Sequence, residues 1–444
     1  MTATAAAGAP TTVRFGRWLA AIVAVGVVVR VVYVLVVVRH TPLGADAIWY
    51  GLQGAFIRDG RGYIDPATFF DGRSVPTATF PPLYPSFLAV VSWFESSATT
   101  TLRLAGCAPA GATMVLTALL ARRVLRDDRV ALVAAAIVAV SPLVVATDTS
   151  LMSETLSVPL SLLALLLVHR LTDRRRPVDL ALLGLVVGVG MLARNDVILL
   201  AVVAMLLVLG TARIGWRSVL VSTLAVLLIA GLVVSPWVLR NVRALDVATL
   251  STTSFSSAVA GANCPATYYG DELGGWDFEC ISAEERTADN EVAYSDEILD
   301  RGISYALDHP GRVPVVLGAR VLRVWGAWDP TVLAEREAVE SRRYGWQLAG
   351  WAFGSATIVL ALAGALALRG RRLALATLVA PLLAVTGTAL LTLGHQRFRA
   401  PAEPALAILA AWAVVQLRNL RTDAPARAAG GPHPRAHVPW GADE

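Results

Sequence analysis

Apolar runs of about twenty residues recur from one end of this chain to the other, separated by short arginine-bearing or polar stretches. In lipid such a run must satisfy its own backbone, so it crosses about 30 Å of hydrocarbon as an α-helix. Over 444 residues, 56% are hydrophobic and only 16% charged, and the mean hydropathy is +0.60, which excludes a soluble domain with one large core. The expected fold class is an all-α polytopic membrane protein of about ten transmembrane helices, with interfacial helices and an extracytoplasmic loop region.

Charge orients that bundle. The formal net charge of +5 is arginine against acid, since the sequence contains no lysine. The arginines collect in short loops between apolar runs, as the positive-inside rule expects, so membrane lipid rather than nucleic acid is the partner they imply. The first run, residues 18–38, follows Arg14 and Arg17 and lacks a small-residue cleavage site after it. It reads as a retained anchor, with residues 1–17 in the cytoplasm. It leads to a first outer loop, residues 39–100, in which 82–94 is apolar but too short to cross and is expected at the interface.

Runs at 101–120, 130–146, a fourth ending at Arg170, 178–192, a sixth ending near Arg213, then 218–234, 346–368, 373–393 and 402–417 complete a transmembrane domain over 18–420. Its inner connections carry Arg122, Arg123, Arg126, Arg174, Arg175, Arg176, Arg369, Arg371 and Arg372. Residues 237–345 form a large outer region, where thirteen acids face two arginines between Ala244 and His309. A second short apolar helix is expected over 313–325, followed by a charged stretch, Glu335 to Arg343. Cys264 and Cys280, sixteen positions apart, lack the further ligands of a metal site and are expected to form a disulfide in an oxidising compartment. The Ala-, Pro- and Gly-rich residues 421–444 read as a disordered cytoplasmic tail.

By this topology Asp46, Asp148, Glu154, Arg194, Arg240, His395, Arg397 and Arg399 all arrive at one membrane face, the outer one, with Asp148 and Glu154 in a short turn. Asp46 and Tyr50, four apart, share one face of a short helix. A carboxylate beside an acceptor hydroxyl can take its proton, so Asp46 is the candidate general base, against the plainer role of a helix N-terminal charge. Glu154 either caps its own helix or, with Asp46, orients an acceptor or holds a divalent cation. Arg397 and Arg399 flank Phe398 and are stopped by Pro401, so both are expected to point one way, toward a phosphate that guanidinium groups bind in bidentate fashion. The competing role for these arginines, and for Arg194 and Arg240, is headgroup anchoring. Arg30, in mid-run, is expected to pair with an acid inside the bundle or reach a lipid phosphate.

These residues carry a resemblance. Asp46-Ala47-Ile48-Trp49-Tyr50, Gly60-Arg61-Gly62-Tyr63 and Phe80-Pro81-Pro82-Leu83-Tyr84-Pro85 resemble the first outer loop of the multispanning GT-C glycosyltransferases, especially family 39 with its protein O-mannosyltransferases and aminoarabinose transferases. Leu151-Met152-Ser153-Glu154, Leu192-Ala193-Arg194, Pro236-Trp237 with Arg240-Asn241, and Gln396-Arg397-Phe398-Arg399-Ala400-Pro401 follow in the family's order. The resemblance implies a GT-C bundle and inverting transfer of a hexosyl or pentosyl group from a polyprenyl-phosphate carrier to a lipid, glycan or protein acceptor. Asp46 would be the base, Glu154 would bind acceptor or metal, and Arg397 and Arg399 would contact the lipid phosphate. The chain departs from the family in Ala47, where an acid often follows the Asp, and in Phe80, where a charged residue or His often precedes the prolines. The region around Asn263-Cys264-Pro265 and from Trp276 to Cys280 looks like that of bacterial members, including actinobacterial ones, and implies acceptor selection or a lid.

Two other function classes compete. A transporter or flippase would line a pathway with these charges, and inverted repeats or broken helices would favour it; neither is visible in the sequence. A non-catalytic membrane subunit would use the outer region only to bind a partner.

Overall fold

The computed structural model describes residues 11–94, 98–246, 253–282 and 291–428. These are helical throughout apart from turns and one isolated bridge between Ile64 and Pro76. The first span is α1 (Thr11–Val32), continued by a π turn over Tyr33–Val37. The loop after it forms α2 (Ala45–Arg58), α3 (Pro66–Phe70) and α4 (Leu83–Phe94). Next come α5 (Thr99–Ala105), α6 (Cys107–Leu125), α7 (Asp128–Val140), α8 (Pro142–Thr149), α9 (Glu154–Leu171), α10 (Pro177–Met191), α11 (Val197–Ala204, extended by a π turn to Leu209) and α12 (Trp216–Leu245). The large loop region holds α13 (Ser254–Gly261), α14 (Pro265–Tyr269), α15 (Glu279–Ser282), α16 (Glu291–Asp308), α17 (Val313–Val324) and α18 (Pro330–Val339). The bundle closes with α19 (Tyr344–Ala367), α20 (Arg372–Leu391), a 3-10 turn over Gln396–Ala402, and α21 (Glu403–Ala428).

Among the described residues seven helical runs are long and apolar enough to cross a membrane alone, and the bent pair α7–α8 would be an eighth if counted as one span. The expected spans at 178–192 and in the segment ending near Arg213 are the shorter apolar helices α10 and α11. The polytopic all-α architecture is therefore the one the sequence implies. Helix α1 starts at Thr11, within the segment 1–17 expected on the cytoplasmic side, and residues 1–10 lie outside those described. Helix α21 passes the expected boundary at 421 and continues to Ala428, because extending a formed helix costs far less than starting one. The remainder of the expected disordered tail, 429–444, lies outside the described residues.

The third span is where the sequence topology needs most correction. Pro142 denies α7 a continuing hydrogen bond, and Ser141 before it leaves helical geometry, so α8 departs at 61° to α7. Instead of emerging in a short surface turn, residues 142–149 fold back against the bundle, and Asp148 is buried. The bend frees carbonyls at the end of α7, and Arg30 of α1 takes them: Nη1 donates to Ala139 O at 3.0 Å and Nη2 to Val138 O at 3.4 Å. Its Nε donates to Asp148 Oδ2 at 2.8 Å. One buried guanidinium thus supplies the donors that lipid cannot. Gly106 belongs to the same contact, since a Cβ there would collide with the Asp148 carbonyl.

The first loop is pinned by arginine and tyrosine side chains. Arg103 of α5 donates to Val38 O at 2.8 Å and Thr41 O at 3.1 Å, fixing where the loop leaves the first span. The Tyr63 hydroxyl donates to Phe80 O or Pro81 O, each at 3.1 Å, and Arg240 of α12 donates to Tyr63 O and Thr77 O. Leu83 N donates to Leu192 O at 2.8 Å, so the Pro-Pro turn sits against the end of α10. In the large loop region Cys264 and Cys280 form the expected disulfide, with Cα atoms 6.2 Å apart. Helix α17 is not simply an apolar surface helix: its Arg320 and Arg323 are buried and donate to the carbonyls of Ala262 and of Leu273 and Asp271. These bonds fasten the disulfide region to the bundle.

Candidate active site

Where the first loop, the end of α10, the disulfide region, α18 and the 3-10 turn before α21 meet, they enclose a cavity of about 680 Å³. Asp46 and Tyr50 enter it from one face of α2, as their spacing requires. Glu154 enters from the first turn of α9, Arg194 and Asp196 from the turn after α10, and His395 and Arg397 from the strand-like entry and 3-10 turn ahead of α21. Residues far apart in sequence therefore share one chamber.

Arg397 is its centre. Its Nη1 lies 2.9 Å from Asp46 Oδ2 and 2.9 Å from Glu340 Oε1, and its Nε lies 3.9 Å from Glu154 Oε1. Glu154, with its side chain only 2% exposed, is held chiefly by Arg194, whose Nη1 donates to Oε1 at 2.7 Å while Nη2 reaches Asp196 at 3.1 Å. The guanidinium carbons of Arg194 and Arg397 lie 5.2 and 5.4 Å from the Phe398 ring centre, so one aromatic side chain carries both cations. The Tyr50 hydroxyl donates to Ser153 Oγ at 3.3 Å. Burial first, and then the charge of Asp46, push that hydroxyl further up from its usual range, so it stays a donor. Two non-glycine residues beside the acids sit in the left-handed region, Leu151 at φ 59° and Ser341 at φ 66°. Such strain, about 1–2 kcal/mol each, persists where surrounding contacts over-determine the backbone.

Three candidates named from the sequence lie outside the chamber. Asp148 is consumed by Arg30 because the Pro142 bend buries it. Arg240 holds loop carbonyls in place of a ligand. Arg399 does not point with Arg397: in a 3-10 turn residues two apart face different ways, and its Nε donates to Glu403 Oε1 at 2.6 Å while Nη1 donates to Trp325 O.

The sequence reading missed Glu340, Glu337 and Arg342, which it folded into a charged stretch. Glu337 is 1% exposed, pairs with Arg342, and lies 3.1 Å from His395 Nδ1, so it sets the approach to Arg397. A signal was present: Leu333, Ala334 and Glu337 fall on one helical face, and both apolar members are buried. One helical turn before Glu340, Arg336 pairs with Glu272, which also lies 3.6 Å from Arg323, and Trp276 and Phe278 line the chamber with them. Glu272 brings a charge to the chamber from the disulfide region.

Among the described residues no group of three or more His, Cys, Asp or Glu side chains is placed to hold a metal ion. Asp46 and Glu154, the pair expected to do so, each face a guanidinium that competes with a cation. This donor set does not fit a divalent ion.

The helical bundle resembles the fold of a solved membrane oligosaccharyltransferase, and one segment of the chain matches a glycosyltransferase family model. Residues 79–239 match the family model of dolichyl-phosphate-mannose-protein mannosyltransferases. The fold is similar to archaeal oligosaccharyltransferase AglB from Archaeoglobus fulgidus, in complex with an inhibitory peptide and a dolichol-phosphate. The TM-score is 0.51 and the identity 15%, over 94% of this chain and 52% of that one. An Archaeoglobus fulgidus oligosaccharyltransferase tethered by a disulfide bond to an acceptor peptide containing the NVT sequon gives a TM-score of 0.51 at 13% identity, over 93% of this chain and 51% of that one. ArnT from Cupriavidus metallidurans bound to undecaprenyl phosphate gives a TM-score of 0.44 at 15% identity, over 94% and 81%. The chain thus spans about half the length of the archaeal protein it matches. No curated protein matches it by sequence.

Proposed function

We propose that this chain is a membrane glycosyltransferase that moves a hexosyl or pentosyl group, with inversion, from a polyprenyl-phosphate carrier to an acceptor hydroxyl of a lipid, glycan or protein. The observation that carries the reading is the contact of Asp46 with Arg397 inside one chamber. A carboxylate fit to take a proton and a guanidinium fit to take a phosphate line one chamber, and in transfer the acceptor oxygen, the anomeric carbon and the phosphate would lie between them, so their direct contact must open when substrates bind. The acceptor oxygen attacks the anomeric carbon, its proton passes to Asp46, and the bond from that carbon to the phosphate oxygen breaks with its electron pair leaving on the phosphate. Arg397 stabilises that charge as it develops. Glu154 and Arg194 orient the sugar or acceptor, and Tyr50 and His395 complete the wall. The positive-inside rule, applied to the arginine-rich inner loops, supports a chamber on the extracytoplasmic side of a plasma-membrane protein with both termini in the cytoplasm.

The bend between α7 and α8 is a feature a transporter would use, but its free carbonyls are already met by Arg30 and do not line the chamber. The purified chain in lipid, given labelled polyprenyl-phosphate sugars, should release label to an acceptor or to water. Absence of release from every donor by folded protein would count against the enzyme and for a transporter or a partner-binding subunit.

A further inference from the structure

The reading of Arg397 as the phosphate ligand leaves a difficulty: that guanidinium is already occupied. Its Nη1 serves Asp46 and Glu340 at once, both at 2.9 Å. An arginine so engaged has little positive field left for a phosphate, and an aspartate so engaged is a poor base. Among the polar atoms of this group, two stand out. Arg397 Nε and Glu340 Oε2 are both buried without a hydrogen-bond partner. Glu340 therefore makes a one-oxygen contact on one edge of a fork that can offer two, and leaves its second oxygen unmet. A buried polar atom without a partner costs about 1–3 kcal/mol, so the contact is one the site gains by exchanging.

Glu340 also sits on a sprung turn. The next residue, Ser341, is in the left-handed region at φ 66°, and its Oγ accepts from Gly44 N, just ahead of α2. Gly44 allows this only because it has no Cβ, which would strike the carbonyl of Val339. The turn that presents Glu340 and the helix start that presents Asp46 thus share one latch. Glu337, one turn earlier in α18, shows what a structural carboxylate looks like here: it is buried and paired with Arg342 and His395. Glu340 instead faces the chamber.

Resting on the donor reading above, we propose that Glu340 is a stand-in for the donor's phosphate, holding Arg397 in the empty site and leaving it when the lipid phosphate arrives. The exchange puts the two phosphate oxygens on the Nε and Nη edge and, by drawing Arg397 off Asp46, frees the base only once a donor is present. Glu340 is a positioning residue in this scheme and touches neither the anomeric carbon nor the acceptor. Burial, with the charge of Asp46 behind it, lifts the Glu340 carboxyl against the pull of Arg397, which agrees with a group ready to give up its charge.

Binding of undecaprenyl phosphate, without sugar, to the full chain in lipid nanodiscs tests this apart from catalysis. Glu340→Gln and Glu340→Ala should bind about tenfold more tightly than wild type, the effect of removing one competing charge. Glu340→Asp should return the affinity toward wild type, and Arg397→Ala should lose it. Equal or weaker binding by both neutral variants, with loss in Arg397→Ala, would overturn the stand-in and leave the donor reading intact. No binding by any folded form, wild type included, would overturn Arg397 as the phosphate ligand and the stand-in with it.

Discussion

Arg30 and Asp148 form a buried ion pair, 2.7 Å between Nη2 and Oδ2, at the bend where α7 gives way to α8. The pair is lopsided. Asp148 answers Arg30 alone, whereas Arg30 also serves the carbonyls of Gly26, Ala139 and Val138. Removing the arginine therefore strands an acid and the two carbonyls at the end of α7, since Gly26 O keeps its helical N–H, while removing the acid strands one cation that still has carbonyl partners. Arg30→Met is expected to cost about 3–5 kcal/mol and Asp148→Asn less, read as thermal unfolding in detergent. Because Asp148 lies outside the chamber, Asp148→Asn should keep transfer per folded molecule within about threefold of wild type. A turnover loss as large as that of a chamber residue would return Asp148 to the site.

Arg397 and Arg399 separate in the same way. Arg397→Ala is expected to lower kcat/KM by about 10²–10³, the range for losing a group that stabilises a developing anion. Arg399 lies 2% exposed between Glu403 and the Trp325 carbonyl, so Arg399→Ala should lower stability and expression and leave the surviving molecules with near-normal kcat. Steady-state kinetics on matched amounts of folded protein distinguishes them, and equal kcat losses would mean that Arg399 reaches the donor.

Much of this was legible in the sequence because lipid permits so few folds. The apolar runs fix the helices, and the i, i+4 spacing of Asp46 and Tyr50 fixes their shared face. What was not legible depended on backbone direction over a few residues. The expected span 130–146 runs straight through Ser141-Pro142, and nothing local says that the chain turns inward there and carries Asp148 with it. Arg397 and Arg399 share a face in an extended strand and separate in a 3-10 turn, so one conformational choice decided two assignments. Glu340 was hidden because its partner Arg397 is 57 positions away and only the fold brings the two within 2.9 Å.

Asp46→Asn separates the base from the lock. If Asp46 takes the acceptor proton, the amide should lower kcat by about 10²–10⁴. It also withdraws one carboxylate from Arg397, so the donor KM is expected to fall or stay level, not rise. A variant with unchanged kcat would exclude Asp46 as the base, and one with only a raised KM would make it a donor-binding residue.

Glu337 faces Arg342 on the turn after α18 and His395 and Arg397 ahead of α21, with Glu340 one turn on along the chain. Burial by itself would lift this carboxyl, but Arg342 and His395 outweigh it and hold it down at about 2. A carboxyl depressed in the folded state contributes stability that is complete above its unfolded pKa, about 4.3, and is lost as pH falls toward the folded value. The contribution is of order 3 kcal/mol at neutral pH. Glu337→Gln should therefore unfold well below wild type at pH 7, with the gap closing steadily from about pH 4.5 downward as the wild-type carboxyl takes up its proton. Thermal unfolding of both proteins between pH 7 and pH 3 measures the gap. A constant difference across that range would show that Glu337 contributes through packing alone, and that His395 is held by shape and not by charge.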